Sequence, residues 1–325
     1  MKTILQSEQE QKANPRTAAM AWLMAMSAIL VLNPVAARAA ATDYCGQTAD
    51  NIERSCREGA TSDYWLAIAK CGNDSIPADR TLCQRQASED QADARLTCDE
   101  QGDFRDAVCA RLGGAPYDPK IVPANFVARI DNPYFPLKPG KTFIYEGDTP
   151  QGHEHVEFAV TFKTRVILGV TCVEVHDSVF LDGALAEDTL DWFAQDKAGN
   201  VWYFGENTHE LEDGLITTID GTFLAGANND KPGIIMKAHP AVGDFYRQEF
   251  SLDNAEDLAE TLSLTESVTV PVGSYRSCLE SQETTPLETN LLEHKFYAPG
   301  IGNVLTVDAR TGGRTELVRI TTQRR

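Results

Sequence analysis

The chain has 325 residues, of which 42% are hydrophobic, and these values allow one large domain or two of moderate size. A mean hydropathy of −0.30 argues against a protein that crosses a membrane many times. The formal net charge is −19, and a polyanion of this size repels nucleic acid phosphates and anionic membrane surfaces, which excludes nucleic acid as a partner.

Residues 1–39 predict a secretory signal peptide. Basic residues precede an almost unbroken apolar run at residues 18–32, which is too short to span a bilayer comfortably. Small residues, Ala37 and Ala39, then occupy the positions expected before a cleavage site at Ala40. The alternative is an uncleaved membrane anchor. We expect cleavage and a periplasmic or secreted protein, with no stable membrane insertion afterwards.

Residues 40–115 hold most of the cysteines and are predicted to be helical. The segment is rich in Ala, Glu, Gln, Arg and Leu and lacks strand alternation, which favours three or four short antiparallel helices. An even number of cysteines in an exported chain predicts disulfide bonds. The six cysteines of this module are Cys45, Cys56, Cys71, Cys83, Cys98 and Cys109.

The pairing of these cysteines is not determined by the sequence, because six cysteines can combine in many ways. The pairs that short helices packed in chain order would favour are Cys45–Cys71, Cys83–Cys98 and Cys56–Cys109. Two further cysteines, Cys172 and Cys278, lie at related places in an internal repeat. We expect these two to pair with each other and to hold the halves of the repeat together.

The rest of the chain is predicted to be a linker and a β domain. Residues 116–140 are rich in proline, which predicts an ordered linker draped over the next domain. In residues 141–325, β-branched and aromatic runs alternate with Gly, Asn and Asp clusters, as in a curved antiparallel sheet or open barrel. Residues 228–243 are predicted to be a loop across the barrel mouth, and residues 253–262 a short exposed helix. The expected fold class is therefore α+β.

Residues 188–206 predict a β-hairpin, because aromatic residues at a period of two flank a turn of Asp, Gly and Asn. A second copy begins about a hundred residues later, with Phe296 at the position of Phe193 and His294 at that of Asp191. The residues that the copies share are explained by what a strand and a turn require. Any function of the hairpin is expected where the copies differ.

Two candidate sites follow from this hairpin. Its aromatic residues could line a ligand cavity, although such stripes more often form a core. The residues assigned to ligand binding are Trp192, Trp202, Tyr203 and Phe296. Asp191 and His294 could meet inside the barrel and perform acid–base catalysis. The alternative for this pair is a polar row facing outward.

A third candidate is a metal site. His153, His155 and Glu157 alternate along one strand and so share a face, which could bind copper or zinc. The alternative is a solvated start of a strand. No cofactor is indicated by any motif.

Three segments resemble an uncharacterised family of exported bacterial proteins: NPYFPLKPG at residues 132–140, DWFAQDKAGNVWYFGE at 191–206 and PGIIM at 232–236. The resemblance covers most of residues 117–318 and implies export, but it brings no activity and no site residues. At the level of fold, the repeat is also similar to lipocalin-like and lipoprotein-carrier half-barrels.

The function expected from the sequence is that of an exported, non-catalytic binding protein. Its partner would be an apolar small ligand or another protein of the envelope. One alternative is an acid–base enzyme with its site at the barrel mouth. A second alternative is a copper- or zinc-binding envelope protein.

Overall fold

A computed structural model describes residues 42–323, so the predicted signal peptide lies outside the described residues. Two α-helices precede a largely antiparallel β domain, which confirms the α+β class. The elements are α1 (Tyr44–Gly72), α2 (Pro77–Leu112), a 3-10 turn (Pro123–Asn125), β1 (Phe126–Val127), β2 (Lys141–Thr149), β3 (Gly152–Ile167), β4 (Val170–Leu181), β5 (Ala184–Asp196), β6 (Val201–Glu212), β7 (Leu215–Thr218), β8 (Phe223–Leu224), β9 (Lys231–Met236), β10 (Phe245–Arg247), β11 (Glu249–Phe250), β12 (Leu258–Val270), β13 (Gly273–Thr284), β14 (Glu293–Ala298), β15 (Gly302–Asp308) and β16 (Arg314–Thr322).

The helical module is a single long hairpin. Asp43 caps α1 by accepting a hydrogen bond from the backbone of Gly46, and Pro77 stands in the first turn of α2, where its missing N–H costs nothing. The prediction of three or four short helices was wrong, because Gly59 and Gly102 do not end a helix. A Cβ atom at Gly102 would lie 2.8 Å from a carboxylate oxygen of Glu53, so this glycine permits the two helices to approach closely.

The disulfide bonds of the hairpin are nested. The bridges are Cys45–Cys109, Cys56–Cys98 and Cys71–Cys83. The pairing favoured from the sequence, Cys45–Cys71 with Cys83–Cys98 and Cys56–Cys109, was therefore wrong. Two helices that fold back on one turn bring together cysteines at equal distances from that turn, and each bridge crosses between the helices.

The β domain is a nearly closed barrel. Its strands are hydrogen-bonded in the order β10-β12-β13-β14-β15-β16-β2-β3-β4-β5-β6-β9-β11. The two ends of this order, β10 and β11, are consecutive in the chain and are separated by Gln248 alone. The closing segment, residues 245–250, thus joins one sheet edge to the other. It is held where the backbone N–H of Gln248 donates to the carbonyl of Asp257 at 2.7 Å.

The proline-rich segment covers one end and part of one side of the barrel. Asn132 donates from its side-chain amide to the carbonyls of Gly199 and Lys237, at 2.9 and 3.1 Å. Ile130 and Leu137 are buried in the main core. Anchored in this way, the segment blocks the end of the barrel at the β5–β6 turn.

Two segments that were predicted to be a loop and a helix contain β-strands instead, so both predictions were wrong. Residues 228–243 include β9, which pairs with β6. Residues 253–262 form a turn and the start of β12 instead of a helix, because Leu258 and Ala259 are fully buried in pairs with β13. The burial of apolar surface outweighs the helical preference of a short acidic run.

The helical hairpin is attached to the barrel beside the closing segment. Arg105 of α2 is ion-paired with Glu256 at 2.7 Å, and both side chains are almost fully buried. One turn and a half further along, Arg111 pairs with Glu260 at 2.8 Å in a more exposed position and places its guanidinium 3.7 Å from the ring centre of Phe245. The C-terminal half of α2 therefore holds the hairpin on the barrel.

Cys172 and Cys278 are free and buried, so the predicted bridge between them was wrong. Cys278 belongs to the main core, whereas Cys172 belongs to a second apolar cluster with Trp192 and Phe204. Burial raises the pKa of the Cys172 thiol to about 12, which keeps it protonated and unreactive.

We expect alkylation without reductant to modify two cysteines in the unfolded protein and neither in the folded protein. The physical reason is that Cys172 and Cys278 are both free and buried, while the other six are bridged. Intact mass after iodoacetamide treatment, with and without guanidinium, measures this. An unlabelled denatured protein would show a fourth bridge and contradict the structure.

Candidate functional site

The barrel holds a cavity of about 660 Å³ that is open to solvent. Its lining comes from side chains that point inward from most of the strands, together with turn residues 150–151, 310–311 and 313 at the end opposite the proline-rich segment. The apolar and aromatic part of the lining includes Phe135, Phe143, Tyr145, Phe158, Phe193, Tyr203, Ile235 and Tyr297. The acidic part of the interior lining includes Asp177, Glu187, Asp191, Glu249, Asp257, Glu283 and Glu293.

Asp191 and Tyr203 form a buried pair on the cavity wall. The hydroxyl of Tyr203 donates to Asp191 and lies 3.1 Å from a carboxylate oxygen of Glu206. Burial raises the pKa of Asp191 to about 7; the hydrogen bond from Tyr203 acts against this, and Glu187 adds to it. Burial and the neighbouring Asp191 raise the pKa of Glu206 to about 8. This wall therefore holds protons that other carboxyl groups would have lost at neutral pH.

Further carboxyl groups around the cavity share this property. Burial, reinforced by Asp191 and Glu187, raises the pKa of Asp177 well above its ordinary value. Burial and Asp257 do the same for Glu249. Burial raises the pKa of Asp257 itself to about 6, although Lys295 opposes the change. Acidic groups this close disfavour one another's charge in a poorly hydrated space.

Lys295 is the cation of the cavity interior. Its Nζ atom lies 2.8 Å from Glu283 and 3.4 Å from Glu293. The pKa of Lys295 is raised well above its ordinary value: burial acts to lower it, but these two carboxylates outweigh burial. Tyr297 also donates its hydroxyl to Glu283 at 2.9 Å. Lys295 is thus neutralised by its own neighbours and leaves the other carboxyl groups unpaired.

Gln248 of the closing segment also lines the cavity. Its side chain is 2% exposed, and its Nε2 atom has no hydrogen-bond partner among the described residues. Oδ1 of Asp177 is likewise buried and has no hydrogen-bond partner among the described residues. A buried polar atom without a partner is costly in a folded protein, and such atoms often mark a place where a ligand or solvent binds.

Of the four residues assigned to ligand binding from the sequence, Tyr203 lines the cavity. Trp192 is buried in the second apolar cluster, against which Trp202 packs. Phe126 of the proline-rich segment covers this cluster, with its ring centre 6.4 Å from that of Trp202. Phe296 is partly buried against the main core and is not part of the cavity lining. The two tryptophans therefore fix the linker to the outside of the barrel.

Asp191 and His294 do not meet in the structure. Asp191 lines the cavity, whereas His294 lies between the cavity-lining residues Glu293 and Lys295 and so points to the opposite face. Its Nδ1 atom is 2.7 Å from a carboxylate oxygen of Glu280. Along β5 the inward residues include Asp191 and Phe193, whereas along β14 the inward residues are offset by one position from the aligned copy. The aligned positions of the two hairpins therefore face opposite ways.

His153, His155 and Glu157 share the outer face of β3, as their spacing predicts. Glu146 of β2 lies between the two imidazoles, 2.9 Å from Nε2 of His153 and 2.8 Å from Nδ1 of His155. Hydrogen bonds to carboxylates raise the pKa of both histidines above its ordinary value. Among residues 42–323, no group of three or more His, Cys, Asp or Glu side chains is arranged to hold a metal ion.

The sequence reasoning missed most of the cavity residues. Asp177, Gln248 and Glu249 stood outside every motif, and Lys295 lay within the second hairpin copy without being assigned a role. One signal was available: Glu293, Lys295 and Tyr297 alternate along β14 and so share one face. Because this face carries two charged residues and the other carries His294, Phe296 and Ala298, alternation favoured the wrong face as the inner one.

In residues 42–323, none of the helices combines the length and the apolar character that crossing a membrane requires. No model of a known protein family matches the chain, and no curated protein matches it. The chain is similar to the crystal structure of a "putative lipoprotein" from Parabacteroides distasonis, with 14% sequence identity and a TM-score of 0.33. The similarity covers 58% of this chain and 98% of the other. At this level it carries no argument about the site.

Proposed function

We propose that this is an exported, non-catalytic binding protein whose barrel holds a small amphipathic organic molecule. The observation that carries the proposal is the cavity of about 660 Å³, with aromatic and carboxyl side chains on the same wall. Sites for small molecules in proteins are typically about 300–1,000 Å³, mostly apolar, with a few polar groups that orient the ligand.

The composition of the lining refines the ligand expected from the sequence. A purely apolar molecule would leave buried groups such as Asp177 and Gln248 without hydrogen-bond partners, at a cost of about 1–3 kcal/mol each. A ligand with an apolar body and polar substituents satisfies both parts of the wall. Three disulfide bonds are typical of an oxidising compartment and support export.

We expect the protein to bind the uncharged dye N-phenyl-1-naphthylamine, whose fluorescence rises in apolar surroundings. Replacing Ile235, which lines the cavity, by tryptophan should fill part of the space and weaken binding about tenfold. The matched control is Val166→Trp, because Val166 is 66% exposed and lies outside the lining. Titration of the dye with each protein measures the effect.

Two results would contradict the proposal. The first is an absence of saturable fluorescence with the unaltered protein. The second is equal dye binding by the Ile235→Trp and Val166→Trp variants, which would place the dye outside the barrel.

A further inference from the structure

We propose that the ligand of the cavity is a small organic cation, with an ammonium group, a hydrogen-bond acceptor and an aromatic or aliphatic body. This inference rests on the proposed function, since it names the chemistry of the molecule that the cavity takes. Four features of the described residues carry it.

The first feature is the charge of the wall. Eleven of the lining residues are Asp or Glu, and three are Lys or Arg. Lys295 is already paired with Glu283 and Glu293, Arg314 is paired with Glu316, and Arg310 is exposed in the turn after β15. The carboxyl groups of Asp177, Asp191 and Glu249 consequently face the cavity without a protein cation. An anionic ligand would find no free cation beside these carboxyl groups and would oppose their ionisation.

The second feature is the pair of unpartnered buried atoms. Oδ1 of Asp177 has no hydrogen-bond partner among the described residues, and Nε2 of Gln248 is a donor without an acceptor. An ammonium N–H satisfies the first, and a hydroxyl or carbonyl oxygen on the same molecule satisfies the second. Hydrogen bonds in which a partner is charged are the stronger kind, so the ammonium–Asp177 contact would contribute more.

The third feature separates an organic cation from a metal ion. Within residues 42–323, no three His, Cys, Asp or Glu side chains converge to hold a metal ion. The carboxyl groups instead stand on different strands around a space that is much larger than one ion. A ligand that reaches several of them must itself be extended.

The fourth feature is the aromatic wall beside the acids. The rings of Phe193 and Tyr203 are stacked, with centres 4.6 Å apart, and Phe135 meets Phe193 edge-on at 5.4 Å. Aromatic faces attract ammonium groups and also provide apolar contact for a carbon skeleton. The acids and the rings together fit a molecule that carries both.

Binding of a cation should release protons. Burial and neighbouring carboxyls raise the pKa of Asp191 to about 7 and that of Glu249 well above its ordinary value. A bound ammonium favours the ionised carboxylates, so protons leave as the ligand enters. The affinity is therefore expected to increase as the pH rises through about 7, the pKa of Asp191.

The test uses three probes of similar shape and different charge: 2-phenylethylamine, 2-phenylethanol and 3-phenylpropionate. We expect isothermal titration at pH 8 to show the amine binding about tenfold more tightly than the alcohol, and the acid most weakly. Titration in two buffers of different ionisation enthalpy should show proton release with the amine and none with the alcohol.

Two variants that each remove one carboxyl group test whether the amine binds inside the cavity. Glu249→Gln removes a carboxyl from the cavity and should weaken amine binding about tenfold. Glu157→Gln removes one from the outer face of β3 and should leave binding unchanged. Thermal unfolding of both variants checks that each remains folded. If Glu249→Gln is unfolded, Asp177→Asn takes its place, with the same expected loss of amine binding.

The outcomes separate the two proposals. If the alcohol binds as tightly as the amine, or if Glu157→Gln and Glu249→Gln weaken the amine equally, the cation assignment is wrong while binding in the barrel stands. If the dye binds and none of the three probes does, the cation assignment is also wrong. If neither dye nor probe binds, both proposals are overturned.

Discussion

Replacing Arg105 with alanine is expected to lower the free energy of unfolding by about 3–5 kcal/mol, because it leaves the Glu256 carboxylate buried without its cation. The guanidinium binds both oxygens of Glu256, with Nη2–Oε1 at 2.7 Å and Nε–Oε2 at 3.1 Å. Glu256 is 1% exposed, and its Oε1 also accepts the backbone N–H of Asp253. The pair therefore ties α2 to the turn that precedes β12.

Arg111 provides the matched control for this experiment. It lies on the same helix and also bridges α2 to β12, but its side chain is 45% exposed. Exposed ion pairs contribute about 0–1 kcal/mol, so Arg111→Ala should have a much smaller effect. The double variant Arg105→Met with Glu256→Leu should recover much of the lost stability, because no unpaired charge remains. Urea denaturation measures all three, and equal losses for Arg105→Ala and Arg111→Ala would contradict this account.

Replacing Gly233 with alanine is expected to lower the free energy of unfolding by about 3 kcal/mol, near the upper part of the usual range for overpacking. A Cβ atom at this position would lie 2.2 Å from the carbonyl oxygen of Gln248 and 2.7 Å from that of Arg247. Both are backbone atoms of the closing segment, so they cannot move aside as a flexible side chain would. The substitution forces β9 and β11 apart where the barrel closes.

Gly233→Ala should also weaken ligand binding. The closing segment holds Gln248 and Glu249, so its displacement should weaken dye binding together with stability. Gly59→Ala is the control, because this exposed position in α1 has nothing within 4 Å of an added Cβ. Alanine there should stabilise the protein by about 0.5–1 kcal/mol through its better helix propensity. A Gly233→Ala protein as stable as the unaltered one would show that the barrel closes in another way.

Elements that depend on local patterns could be predicted from the sequence. The alternation of aromatic residues around Gly199 and Asn200 predicted the β5–β6 hairpin, and the turn forms because Asp196 accepts hydrogen bonds from both of their backbone N–H groups. The helical character of the cysteine-rich module was also predicted correctly. These features are set by residues close together in the chain.

The candidate site depended on long-range geometry that local patterns do not contain. Register shifts interrupt both hairpins, between Trp192 and Phe193 and between Phe296 and Tyr297. The extra residue lies in β6 in the first hairpin and in β15 in the second, so the alternation along β5 and β14 is unbroken. The inward positions of β14 are nevertheless offset by one residue from those of β5, so the alignment of Asp191 with His294 did not reveal that only Asp191 faces inward. Gln248 and Glu249 became part of the wall only because the chain closes the barrel at their position.

The nested bridges of the helical hairpin have a consequence for biogenesis. Cys45 and Cys56 come first in the chain and are eleven residues apart, but once α1 has formed they are separated by roughly 16 Å along its axis, beyond the reach of a disulfide. The innermost pair, Cys71 and Cys83, is separated by 12 residues and closes the smallest loop. The bridges can then form in order from the turn between the helices toward their far ends, because each bridge brings the next pair of cysteines closer together. Once formed, α1 therefore excludes a bridge between Cys45 and Cys56.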